Sequence, residues 1–129
     1  WASNPQDRTM HAYKSCAPEQ LITLQKRLLP ECTPISLQTD EAEAHKRLKL
    51  QPAQPKWSNT LKRVGQCCAV YSVDTAVAHL SAGSGRPTTL LLGYPPDWRW
   101  RPVPKDPQAP LWYPSLSVDQ HTIKPALHP

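Results

Sequence analysis

Phenylalanine is missing from the chain's 129 residues, glycine occurs four times and methionine once. Hydrophobic residues make up 39% and charged residues 19%, both below the roughly 45 to 50% and 25% of ordinary globular domains. The chain is therefore neither oily nor highly charged. One stretch, Val64 to Ala82, carries a single formal charge. That charge, Asp74, lies near its middle, where an ionised group costs ~2.5 to 3.5 kcal/mol in a bilayer, so no membrane span is expected.

Motifs that announce chemistry are also missing. The four cysteines, Cys16, Cys32, Cys67 and Cys68, make neither a C-x-x-C nor a C-x9-C arrangement, which removes the signatures of structural zinc, thioredoxin-type redox and small helical-hairpin proteins. On a helix, Cys16 and Cys32 would stand roughly 20 Å apart, beyond the ~7 Å limit for a bridge, and adjacent Cys67 and Cys68 would need a strained ring. Cys16 and Cys32 are read as staying reduced or bonding elsewhere, and Cys67 and Cys68 as two small, semi-buried thiols. The five histidines show neither H-x3-H nor H-E-x-x-H spacing, so no metal site is expected. The segment SAGSGRP (81–87) has the composition of a phosphate loop without its order and reads as a turn. The best catalytic set, Cys67 or Cys68 with His79 and Asp74, fails on a helix because Cys68 and His79 would lie ~16 Å apart along the axis. The expectation is a protein without cofactor or small-molecule substrate, and not an enzyme.

Long basic runs are absent too. Fifteen Lys and Arg against ten Asp and Glu give a net charge of +5, but the cations come in twos and threes, as at Lys26-Arg27 and Lys62-Arg63, with acids beside several of them. Scarce acids produce the positive balance, so nucleic acid is the lesser partner class. The first residue is Trp1 and no secretory signal pattern follows it. Together with the mild basicity this gives the expectation of a removed leader and a mitochondrial, inner-membrane-associated location.

What the chain does have is proline, sixteen residues of it, each fixing φ and removing a donor. The longest stretch free of it runs from Lys56 to Arg86. Before that stretch lie two helix candidates. Over 18–29, Pro18 suits a first turn, Glu19 and Lys26-Arg27 suit the two ends of the helix dipole, and Leu21, Leu24, Leu28 and Leu29 make one stripe. Over 40–50, Asp40 can cap with Glu43 three residues on, and Glu41/His45 and Glu43/Arg47 have helpful spacing. In the middle, Leu61, Val64, Cys68 and Tyr71 recur at helical spacing behind a Ser58 or Asn59 cap. The β-branched Val70, Val73, Thr75 and Val77 argue for strand instead. The spacing favours one longer helix over about 59–81, then a short extended segment at 88–94.

Residues 95–114 hold seven prolines and cannot form helix. The expected architecture is therefore mostly α with large irregular content: an extended arm over 1–17, a small helical middle over 18–94 and an extended Pro/Trp-rich arm over 95–129, without a compact globular core. Tyr94, Trp98, Trp100, Trp112 and Tyr113 are five of the nine aromatic residues, unlike a disordered linker. Each could bury ~150 to 250 Å² on a neighbour. In an extended Trp98-Arg99-Trp100-Arg101 the indoles would share one face and the guanidiniums the other. Tyr94, Trp98, Arg99, Trp100, Arg101, Trp112 and Tyr113 are thus the candidate partner-binding residues. The partners expected are other protein subunits, with lipid phosphate or RNA as classes the arginine face would also suit. The composition reads as an accessory subunit wrapping its neighbours in a large assembly, such as a respiratory or ATP synthase complex; the alternative is a mitochondrial ribosomal protein.

Overall fold

A computed structural model describes residues 6, 9, 14–28, 30–39, 42–92, 97–100 and 112–119. The first two helices fall within the ranges expected for them; the Asp40 cap expected for the second lies outside the described residues. Helix α1, Pro18–Leu28, begins at Ala17, whose carbonyl takes the Gln20 and Leu21 amides. The Gln20 side chain reaches back to accept the Ala17 N–H at 3.1 Å, half of a capping box. Helix α2, Ala42–Leu48, ends in a Schellman motif: Leu50 N–H donates to His45 O at 3.0 Å and Lys49 N–H to Lys46 O at 3.2 Å. Lys49 takes the left-handed position with φ 55°, where glycine is usual. Arg47 pairs with Glu19 on α1 at 2.7 Å, rather than with Glu43 as the helical spacing suggested.

The single long helix predicted over 59–81 is three elements. Helix α3 is Trp57–Gln66, strand β1 is Val70–Val73 and helix α4 is Ala76–Gly83. The cap of α3 is neither Ser58 nor Asn59; Lys56 holds the position with no side-chain cap bond. Helix α4 closes on a second Schellman motif, Arg86 N–H to Ser81 O at 3.1 Å and Gly85 N–H to Ala82 O at 3.0 Å, with Gly85 at φ 78°, where no Cβ is tolerated cheaply. SAGSGRP is therefore a helix end and its exit turn. Strand β2, Thr88–Leu91, follows it, within the extended segment expected at 88–94.

Strand β3, Leu116–Asp119, comes from the predicted C-terminal arm. The three strands form a wholly parallel sheet in the order β1-β2-β3, with Val70, Thr88 and Leu116 in one register row and Val73, Leu91 and Asp119 in another. Parallel sheets need cover on both faces, and here they have it. On one face Val73 and Leu91 pack with Leu21 and Leu24 of α1, Leu48 of α2 and Cys16. On the other, Leu90 and Leu116 pack with Ala78 and Ala82 of α4, Leu92 and Trp100. Small residues on α4 bring it close enough for Thr88 Oγ1 to donate to Ser81 Oγ at 3.0 Å.

The expectation of a mostly α chain with extended arms and no core is thus overturned: this is an α/β fold, four helices with a three-stranded parallel sheet among the described residues. Two physical reasons account for it. Val70, Ser72 and Val73 are buried, and burial between two layers outweighs a helical spacing that holds only along one face. Proline forbids helix through the tail, yet a parallel edge strand needs only the four proline-free residues that Leu116–Asp119 supply. No described helix is long and apolar enough to cross a membrane.

Candidate functional site

Asp74, at the carboxyl end of β1, anchors a cluster of charges and rings. Asp74 follows directly on β1, with its side chain 7% exposed. Lys14 Nζ donates to its Oδ2 at 2.6 Å, and Arg99 Nη2 lies 3.5 Å from the same oxygen. Arg99 belongs to a short 3-10 turn, Trp98–Trp100, opened by Asp97. The Asp97 carboxylate accepts the Arg99 amide and Nε on Oδ1, both at 3.0 Å, and Nη2 on Oδ2 at 3.2 Å. These bonds to Arg99, the backbone one first, hold the Asp97 carboxyl below the usual carboxylate range. Two acids and two bases so bind three distant stretches of sequence together, and their formal charges cancel.

The same turn distributes the tryptophans. A 3-10 turn advances about 120° per residue rather than alternating faces, so the expected sharing of one face by Trp98 and Trp100 does not hold. Trp100 points inward and is 3% exposed, whereas Trp98 is 70% exposed. Trp100 packs at a tilt of 37° against His79 of α4, ring centroids 5.1 Å apart. His79 Nδ1 and Tyr113 Oη share a hydrogen bond at 3.1 Å, and Tyr113 packs against the inner cluster. Among the described residues Trp100 Nε1 has no hydrogen-bond partner. Trp112 stays outside at 59% exposure, its Nε1 donating to Arg99 O at 3.1 Å. That bond brings the second exposed indole against the turn that carries the first.

Of the seven residues singled out from sequence, Trp98, Arg99 and Trp112 form this outer patch, and Trp100 and Tyr113 are internal packing beneath it. Tyr94 and Arg101 lie outside the described residues. Lys14, Asp74, Asp97 and His79 complete the cluster and were not foreseen as part of it. Only topology brings Lys14 to Asp74, 60 residues on, and no spacing signals that.

Each member of the catalytic set weighed from sequence for which a bond is given is engaged with a partner outside the set. Asp74 is held by Lys14 and Arg99 and His79 by Tyr113 and Trp100, while the Cys67 thiol donates to Arg63 O at 3.2 Å. No group of His, Cys, Asp or Glu among the described residues is arranged to hold a metal ion. A separate cavity of about 90 Å³ opens beside β1, lined by Ile35, Leu37, Tyr71, Ser72, Thr75 and Val77 among others.

Fold and cluster together define the class: a parallel α/β module whose strand ends carry a neutral ion-pair network capped by two exposed indoles. No family model, curated protein or solved structure matches the chain.

Proposed function

We propose that this chain acts by binding, as an accessory subunit that docks on another protein through the face formed by Trp98, Trp112 and Arg99. The observation that carries the reading is the exposure of Trp98 and Trp112 together. Each indole offers ~150 to 250 Å² of mostly apolar surface, Trp and Arg are the residues that anchor protein interfaces, and neighbouring exposed indoles on a domain with its own core mark a contact. The ion-pair network beneath holds the turn in place, so the surface is presented without an ordering cost on docking.

The test is the size at which the native protein elutes from its source cells under gentle detergent, beside a Trp98→Ala, Trp112→Ala double variant. A large assembly that the double variant leaves, while keeping its far-UV circular dichroism and Tm, supports the reading. Elution of the native protein as a monomer, or an unaltered assembly in the double variant, overturns it.

A second reading rests on the place of Asp74. Open parallel α/β sheets bind small molecules outside the carboxyl ends of their strands, and the Asp74, Lys14 and Arg99 cluster sits there. A rise in Tm with a phosphate-bearing small molecule, lost in Arg99→Ala, would favour it over protein docking.

A further inference from the structure

Helix α3 turns a second apolar surface outward. Thr60 and Val64 are buried and set its inner face. Beside them Trp57 is 62% and Leu61 47% exposed, and their i, i+4 spacing stands the two side chains one above the other along the helix. Gly65 continues the same row. Arg86 Nη2 donates to Gly65 O at 3.0 Å, which holds a guanidinium at the end of that row. Lys62, also exposed, follows Leu61 on the helix, and Lys56 precedes Trp57 at the cap position. The charge around these residues has one sign: from Ala44 to Val73 the chain carries six Lys and Arg and no Asp or Glu. Among the described residues neither Lys56 nor Lys62 has an ion-pair partner, whereas Arg99 in the Trp98–Trp100 turn is matched by Asp97 and Asp74.

We propose that the outer face of α3 rests on an anionic bilayer surface. Trp57 and Leu61 enter the headgroup layer, and Lys56, Lys62 and Arg86 meet the lipid phosphates. This contact is additional to docking through Trp98 and Trp112. Three properties of the face favour a bilayer over other anionic partners. An indole is at home at headgroup depth and a leucine just below it, while a nucleic-acid strand would stack on Trp57 and leave Leu61 without a role. Lysine is depleted from protein interfaces, but at a membrane its stem lies along the apolar layer while the ammonium stays among the headgroups. Unpaired cations on an acid-free stretch are drawn to a negatively charged leaflet. Since the inner face of α3 is spent on the fold and no described helix is long and apolar enough to cross, the helix lies along the surface.

The full chain is mixed with vesicles of phosphatidylcholine alone, or of equal parts phosphatidylcholine and phosphatidylglycerol, and the bound fraction is read by sedimentation at rising salt. Binding should require the anionic lipid and weaken as salt screens it. Lys56→Ala and Lys62→Ala should each lower the partition coefficient about fivefold, the factor one cation near such a surface supplies. The Trp57→Ala, Leu61→Ala double variant should lower it by about tenfold or more, with far-UV circular dichroism and Tm unchanged because both side chains are exposed. The Trp98→Ala, Trp112→Ala double variant should bind vesicles as wild type does. Equal binding to both vesicle types, unaltered binding in the Trp57, Leu61 double variant, or a loss confined to the Trp98, Trp112 double variant would each overturn the proposal. So would retention on single-stranded RNA without retention on vesicles, or no binding to either.

Discussion

Replacing Trp100 and Trp98 separately with alanine distinguishes a folded module from an extended strap. Trp100 is 3% exposed and touches the layer built from Ala78, Ala82, Leu90, Leu92 and Leu116. Truncating a buried tryptophan costs about 3 to 5 kcal/mol, part lost transfer energy and part cavity. A correction runs the other way. The native state leaves the buried indole N–H without a partner among the described residues, a penalty of about 1 to 3 kcal/mol that truncation removes. Taking the middle of each range, the net expectation for Trp100→Ala is about 2 kcal/mol of destabilisation, while Trp98→Ala, at a site 70% exposed, should stay within about 0.5 kcal/mol of wild type. Urea unfolding followed by far-UV circular dichroism should therefore move the midpoint by about 1 M for Trp100→Ala and hardly at all for Trp98→Ala. Trp100→Phe retains a ring and discards the N–H, so its cost should fall below about 1.5 kcal/mol. Equal effects at positions 98 and 100 would refute the inward placement of Trp100, and Trp100→Phe costing as much as Trp100→Ala would refute the unpartnered indole.

Two further outcomes test other parts of the fold. Lys49→Gly should stabilise the chain by about 0.5 to 1 kcal/mol, because the left-handed φ of 55° suits glycine; a loss of stability by the same urea assay would contradict the Schellman end of α2. Burial pushes the Cys16 thiol from 9.0 up to about 11, so the folded state favours its neutral form. That contribution is whole below pH 9, declines as pH rises from 9 towards 11, and amounts to about 2 to 3 kcal/mol across the window. The difference in unfolding free energy between wild type and Cys16→Ala should shrink over that range; a constant difference would place Cys16 outside the core.

Helix α1 was legible in sequence because every device on it agreed: proline at its start, charges matched to its ends and leucines on one stripe. The break after Gln66 was not. Leu61, Val64, Cys68 and Tyr71 keep helical spacing straight through residues 67–69, and what overrides it is the pairing of Val70–Val73 with Thr88–Leu91, which no local pattern announces. Strand β3 was harder still, since Leu116–Asp119 offers only Leu116 and Val118 as apolar residues and finds its partner 28 positions upstream. Aromatic composition pointed to the right segment for the candidate site. The division of its tryptophans required knowing that Trp98–Trp100 is a 3-10 turn rather than extended chain, and so did the place of Arg99 between Asp97 and Asp74.

That division also governs how the docking face can be probed. The residues offered to a partner and the residues that complete the core come from one segment: Trp98 and Trp112 face outward, while Trp100, Tyr113 and Leu116 seal the α4 side of the sheet. Removing residues 95–129 would take the edge strand from β2, uncovering its ladder of backbone donors and acceptors, and would leave a void where Trp100 had been. Loss of a partner in such a truncation would follow from unfolding as readily as from a missing contact. Substitution at Trp98 and Trp112 alone avoids this confusion, because neither indole belongs to the two buried clusters. Only a variant that keeps the sheet intact can say whether the outer indoles hold anything.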